Sequence, residues 1–377
     1  MIPLSVPQVA GNEWKYVKDC LDTGWISSVG SYVNDFEKIF AEYVGSRFAV
    51  ACVNGTNGLH MALMINDVLP GDHVIAPDIT FIATLNAIKY AGAVPILVDV
   101  DTRTWQMNMD LLESFLQQKT EMKNGECFLK SSGRRIKAVM PVHVLGNIGE
   151  MDKLMRICET FNLVMVEDST EALGSKYKGK HAGTFGKTGV SSFNGNKIIS
   201  TGGGGMIITD DEGLAKRAKH LTTQAKASGD EYYHDEIGYN YRLVNVLAAI
   251  GVAQMEQLPA FVEKKKYIAD YYTRQLTGIA DIRFQERLPD VDSNCWLFTF
   301  RTSKMRELLD HLKKNDIQSR PFWVPMNQLP MFKDELYVNE NDVAGQIYNE
   351  SISIPCSTGI TDEQLEKVAT SIREFFK

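Results

Sequence analysis

Residues 163–169 read "LVMVEDS", four apolar residues followed at once by two carboxylates and a serine. A strand buried on both faces of a parallel sheet has this near-continuous apolar form, and "VPILVDV" at 94–100 repeats it. Working outward, short apolar runs alternate with stretches of helical spacing. They are "FAVACV" (48–53), a helix from Thr56 through Ile65, "HVIAP" (73–77), a helix over 82–91, "VPILVDV", a helix over 109–117, "IKAVMPVHV" (136–144), a helix over 150–161, and "LVMVEDS". Strands separated by helices predict an α/β fold with a mainly parallel central sheet and crossover helices. Ligands of open α/β sheets bind beyond the C-terminal strand ends, so Asp168, leaving "LVMVED", stands where chemistry normally sits. A carboxylate at a buried strand end calls for a cationic partner; a structural helix cap is the alternative reading of the same residue.

On the N-terminal side, "EWKYVKDCLDT" (13–23) and "VNDFEKIFAEY" (33–43) carry helical spacing around the Gly/Ser loop "GWISSVGS". Beyond 169, "MIIT" (206–209) predicts a strand, 212–220 a helix, 243–257 a strongly apolar helix and 261–275 a further helix. The remainder, with "CWLFTFRT", a helix over 304–315, "SISIP" and a helix over 361–376, predicts a smaller α+β domain. The expected division is a large domain over 1–255 and a small one over 256–377. The polar, basic stretch 118–135 reads as a surface insertion, with phosphate binding as the alternative.

At 377 residues the chain has room for a large domain, a smaller one and a deep, dry site. Its formal charge of −7 offers no basic field for nucleic acid, so small anionic substrates need local basic pockets. The six cysteines are scattered, without C-x-x-C or zinc-ligand spacing, which suits reduced structural thiols and no metal. The N-terminus lacks a basic and apolar signal pattern, and no run of about 18 apolar residues occurs. A cytoplasmic protein is expected.

Residues 192–205, "SFNGNKIISTGGGG", set a lysine before four glycines. A phosphate-binding P-loop needs the lysine after the glycines and a helix behind it, whereas here Lys197 comes first and the glycines lead into "MIIT". Another constellation fits better: Lys197 on a turn, Asp168 at a strand end, and a helix start behind "NGTNG" (54–58). A lysine that forms a Schiff base with pyridoxal phosphate, an acid for the pyridine nitrogen and a helix N-terminus for the phosphate are the recurring parts of such a site.

"VEDSTEALGS" (166–175) followed by "AGTFGKTGVSSFNGNKIISTGGGGMI" (182–207) resembles the sugar aminotransferases of the DegT/DnrJ/EryC1/StrS family, and the resemblance continues through "WISSVGSYVNDFE", "VNGTNGLHMAL", "PDITFIATLNAIKYAGAVPILVDVD", "PVHVLGN", "GYNYRLVNVLAAIGVAQ" and "SISIPCSTGITDEQ" in family order. It implies a fold-type I architecture, pyridoxal phosphate and a homodimer with shared active sites. Carried over residue by residue, Lys197 matches the Schiff-base lysine and Asp168 the partner of the pyridine nitrogen. Thr56, Asn57 and Ser192 match phosphate binders, Asn240 a phosphate contact from the neighbouring subunit, and Phe81 the aromatic that covers the cofactor ring. Two positions depart from the pattern: Glu171 stands where Gln or His is usual near the cofactor's 3-oxygen, and Asn327 replaces a common His.

The stretches around Trp25, Lys197 and Trp323 look most like aminotransferases of legionaminic acid and related pathways, which implies glutamate as donor and C4 of a UDP-linked 2-acetamido-4-keto-6-deoxyhexose as acceptor. Trp25 and Ser27, with Phe322 and Trp323, are expected to pack sugar or base, and Arg320 to contact phosphate or a donor carboxylate. Burial of Phe322 and Trp323 in the core is the competing reading. Other expectations kept open are a different ketosugar, such as a dTDP-linked 3-keto or a GDP-perosamine-type substrate, and a pyridoxal phosphate-binding regulator without turnover.

Overall fold

The computed structural model describes residues 1–227 and 229–377. The strands expected from the apolar runs form at Phe48–Cys52, His73–Pro77, Val94–Val98, Arg135–Val139, Val164–Asp168 and Gly205–Thr209. One more, Thr188–Ser192, enters beside Val164–Asp168; its sequence "TGVSS" has no apolar run, and its burial comes from the strands on either side. The ten-stranded sheet is mainly parallel, with Gly205–Thr209 running antiparallel between Phe48–Cys52 and Thr188–Ser192. Both faces are covered, as the unbroken apolar runs require. Met206 and Ile208 pack with the helices Ser31–Val44 and Asn245–Leu276, while Ile207 points the other way, toward Glu212–Thr222.

Three expectations need correction. The segment 118–135 is no mere surface insertion: Thr120–Lys123 and Glu126–Leu129 form a hairpin whose second strand pairs with Arg135–Val139 and extends the sheet. The two helices expected over 243–257 and 261–275 are one helix, Asn245–Leu276, with Pro259 inside it. Proline removes one backbone bond there, but Leu258, Phe261 and Val262 are buried on either side of it and hold the helix to the core. The third is Leu336–Val338, read as part of the C-terminal region, which pairs with Val94–Val98 at the edge of the large sheet.

A second, antiparallel sheet is built from Arg283–Phe284, Phe298–Arg301, Ser351–Ile354 and Arg320–Pro321. Its core is shared with the helices Met305–Lys314 and Asp362–Phe375 and with Ile268, Tyr272 and Leu276 of the long helix. That helix passes through position 255 without interruption. The six cysteines are buried free thiols. Among the described residues no helix is long and apolar enough to cross a membrane.

Candidate active site

A cleft of about 540 Å³ opens where the C-terminal ends of the large sheet's strands face the small sheet. Its floor begins at the helix Gly55–Ile65. Asn54 caps this helix, its side-chain oxygen accepting the Asn57 amide at 2.8 Å, and the Gly58 amide goes to the Asn54 carbonyl at 3.0 Å. First-turn amides have no acceptor within their own helix, so those of Gly55 and Thr56 are left for the cleft, which both residues line beside Ser192. Two free amides and two hydroxyls at a positive helix end suit a phosphate monoester. The backbone closes tightly on this cradle: a Cβ on Gly205 would lie 2.7 Å from the Asn54 carbonyl group and 2.9 Å from the Gly55 nitrogen. Gly205→Ala is therefore expected to displace the helix start and weaken cofactor retention at least about tenfold, the worth of one charge-assisted hydrogen bond. Equilibrium titration with cofactor measures this, and unchanged affinity in a folded variant would contradict it.

Lys197 lies in the loop after Thr188–Ser192, its amide bonded to the Asn194 carbonyl at 3.0 Å. Its ammonium nitrogen is 3.9 Å from Glu171 Oε1 and 4.2 Å from the centroid of the Trp296 ring. Burial lowers its pKa, and the pull of Glu171 and Asp168 toward the charged form does not make up the difference. Glu171 is pushed up to about 7, chiefly by burial, against Lys197 and against the Leu145 amide that donates to its Oε2 at 2.8 Å. The pair thus combines an amine displaced toward neutrality with a carboxyl that keeps a proton well above its ordinary range.

Asp168 ends its strand and caps no helix. Its Oδ2 accepts the Thr84 hydroxyl at 2.7 Å and its Oδ1 the Thr170 amide at 3.2 Å. The cationic partner expected from sequence is replaced within bonding distance by these neutral donors, which leaves a buried carboxylate able to receive a protonated ring nitrogen. The preceding Glu167 faces away from this side of the strand. It accepts the Gly183 and Gly186 amides at 2.8 and 2.6 Å and pairs with the buried His143 at 2.9 Å, anchoring the approach to Thr188–Ser192.

Phe81 lines the cleft at 54% exposure, a side chain with one face open to whatever binds. Trp323 meets it edge-on at 6.5 Å, and Phe322 stacks on Trp323 at 4.7 Å while reaching the buried Trp105 at 5.7 Å. Phe322 is part of a buried cluster and lines the cleft as well. Arg320 also lines the cleft. Trp296 was missed, because "CWLFTF" looks like a core strand. Its indole N–H donates to the Asn196 carbonyl at 2.7 Å, and its own carbonyl accepts the buried Lys265 ammonium at 2.7 Å. Leu4 and Ser5, also missed, reach the cleft because the Gln318 side chain accepts the Leu4 amide at 2.9 Å.

Five expected residues lie off the cleft wall, Asp168 among them, buried where it accepts the Thr84 hydroxyl and the amide of the cleft residue Thr170. Asn57 has spent its amide on the helix cap. Trp25, Ser27 and Asn240 do not line the cleft either. The Trp25 and Ser27 carbonyls are both bound by Asn245, each at 2.7 Å, and the exposed Asn240 is bridged to Thr223.

The free amides and hydroxyls, the lysine and the buried carboxylate without a cation together fit pyridoxal phosphate. A model of the DegT/DnrJ/EryC1/StrS aminotransferase family matches residues 7–373. The chain is 39% identical over 378 residues to GDP-perosamine synthase of Escherichia coli O157:H7, covering 100% of this chain and 98% of that one. It is 35% identical to the putative pyridoxal phosphate-dependent aminotransferase EpsN of Bacillus subtilis, covering 100% and 96%. Among solved structures, a DegT DnrJ EryC1 StrS aminotransferase from Brucella abortus superposes with a TM-score of 0.90 at 26% identity, over 97% of this chain and 95% of that one. With the family model matched across almost its whole length, the chain belongs to the DegT/DnrJ/EryC1/StrS aminotransferases, sugar aminotransferases that work with pyridoxal phosphate.

Proposed function

We propose that the protein moves an amino group from glutamate to C4 of a nucleotide-linked 4-keto-6-deoxyhexose, with a UDP-linked 2-acetamido sugar of the legionaminic acid type as acceptor, in cytoplasmic synthesis of a cell-surface glycan. The observation that carries the reading is the lysine amine of Lys197, lowered in basicity, 3.9 Å from a proton-holding Glu171 and in the field of Asp168. Pyridoxal phosphate, when bound, supplies an electron-withdrawing ring that stabilises negative charge at the carbon being aminated or deaminated. Lys197 would hold it, would take the proton from Cα of glutamate and, in the second half-reaction, would deliver one to C4 of the sugar. Asp168 would keep the ring nitrogen protonated, and Glu171, while it carries a proton, could donate a hydrogen bond to the ring's 3-oxygen. Thr56 and Ser192, with the Gly55 and Thr56 amides, hold the phosphate, and Phe81 covers the ring. Trp323 and Phe322 bound the sugar side, and Arg320 takes an anionic group of donor or acceptor.

A second copy of the chain is part of this reading. The Trp25–Ser27 loop, held by Asn245, and the segment before Asn240 present exposed Trp25, Ile26, Val29 and Ile237, apolar side chains suited to a twofold partner whose cleft they complete. Light scattering should give twice the chain mass; a monomer that is fully active would remove Asn240, Trp25 and Ser27 from the site.

The relative named GDP-perosamine synthase favours a second reading, in which the acceptor is GDP-linked. A panel of UDP-, dTDP- and GDP-linked 3- and 4-ketosugars with glutamate, read by mass and by the position of the new amine, separates the two. The expected result is a kcat/KM at least about 100-fold higher for the UDP-linked 4-ketosugar, since a nucleobase read by hydrogen bonds rejects the wrong base strongly. Preference for the GDP substrate would install the second reading.

A further inference from the structure

Trp296 stands just ahead of the strand Phe298–Arg301, is 2% exposed and lines the cleft. Three bonds fix it. Its amide donates to Asn294 Oδ1 at 2.9 Å, its carbonyl accepts the Lys265 ammonium at 2.7 Å, and its indole N–H donates to the Asn196 carbonyl at 2.7 Å. Trp323 packs beside its ring, 6.3 Å between centroids. Asn196 is the residue before Lys197, so the indole edge holds the lysine turn by its backbone while the indole face lies 4.2 Å from the Lys197 amine. One side chain grips the same lysine at two points.

The amine has little else to hold it. Glu171 Oε1, at 3.9 Å, lies beyond hydrogen-bond distance, and Oε2 is committed to the Leu145 amide. Asp168 acts on the amine as a further charge, its two oxygens taken by Thr84 and Thr170. Arg320 is the remaining charged side chain on the cleft wall. An amine that accepts a proton here becomes a buried ammonium, which burial disfavours. A carboxylate bonded to it directly would stabilise the ammonium and also trap its proton. An aromatic face stabilises a cation through its quadrupole, most strongly for tryptophan and where water is excluded, and has no lone pair to take the proton. The Lys197 side chain, 10% exposed, meets that condition.

We propose that Trp296 is a positioning residue whose π face seats the Lys197 ammonium between taking a proton from the donor carbon and giving it up again, while its N–H fixes the turn that carries the lysine. The proton count balances, since the amine gains and loses one proton and the ring exchanges none. This role rests on reading Lys197 as the amine that carries the proton. The face favours the charged form, so weakening it moves deprotonation of Lys197 to lower pH. Loss of the whole face should lower the midpoint by about one pH unit, the scale of a desolvated cation–π contact.

The test replaces Trp296 by tryptophans with an increasing number of ring fluorines, introduced at this one position. Fluorination drains charge from the face while keeping the N–H donor and nearly the same shape, so a role in packing alone would not respond. Each protein is loaded with pyridoxamine phosphate, the form of the cofactor that leaves Lys197 unlinked, and labelled with trace acetic anhydride across a pH series. Acylation needs the neutral amine, and label at position 197 relative to the exposed Lys216 gives the midpoint. The midpoint should fall stepwise along the series, by about one unit in all, with Trp296→Leu at least as low. A constant or rising midpoint would overturn the proposal. If Trp296→Leu does not fold, the fluorinated series alone decides. Borohydride reduction of the same proteins loaded with pyridoxal phosphate checks the premise: label at 197 with a flat series removes only the role of Trp296, whereas no label at 197 removes the lysine reading and the proposal with it. No sugar or amino donor enters either measurement.

Discussion

Lys197→Ala is expected to lower turnover by at least about 10⁴-fold, the upper range for loss of a positioned acid–base group, with covalent anchoring lost as well. Lys197 is the one lysine among the described residues that line the cleft, so no neighbouring amine stands ready to replace it. Its removal should leave the fold intact. The turn is held by backbone, Trp296 remains bonded to the Asn196 carbonyl, and the loss of a desolvated ammonium relieves a burial cost. The cofactor should still bind through the helix start at Gly55, without the long-wavelength absorbance of a lysine-linked form and without a reducible label at position 197. A normal absorbance band in Lys197→Ala would end the assignment.

Asp168→Asn should cost about 10²- to 10⁴-fold in kcat, with cofactor affinity changed less than about tenfold. The substitution keeps shape and bonding. The Thr170 amide can still donate to the amide oxygen, the Thr84 hydroxyl can rotate to accept from the amide nitrogen that replaces Oδ2, and no buried ion pair is broken. What disappears is the negative charge. A ring nitrogen opposite an amide is no longer held protonated, so the electron sink weakens while the cradle at Gly55 and Thr56 remains. Near wild-type kcat in the variant would show that Asp168 has another role, and a parallel collapse of thermal stability would mark it as structural.

Much of the fold was legible because burial writes itself into local pattern. "LVMVED" and "VPILV" are apolar without interruption, since both faces of a parallel strand are covered. Thr188–Ser192 escaped for the complementary reason: a central strand can be made of small polar residues when its neighbours supply the apolar contacts. Pro259 divided one helix into two on paper, because the cost of a missing backbone bond is local while the buried face that outweighs it is tertiary. The hairpin at 120–129 looked polar because its tip is solvated, although alternate residues such as Cys127 and Leu129 point into the core.

At the site, Lys197 and Asp168 could be singled out from residue types beside a turn and a strand end, whereas Thr56 and Ser192 came only with the family resemblance. Trp296 and Leu4 could be found neither way, because they arrive at Lys197 from far along the chain and nothing near them announces a cleft. The amino-acid sequence by itself determined the parallel α/β framework, the lysine and acid at its strand ends and the kind of cofactor they serve. Only the tertiary structure decided that Glu171 keeps its proton above the ordinary carboxyl range, that the Lys197 amine is less basic than usual, and that Asp168 rests on hydroxyl and amide donors. These are properties of desolvation and of charges brought together by folding, and such fields depend on distance in space, which residue order does not contain.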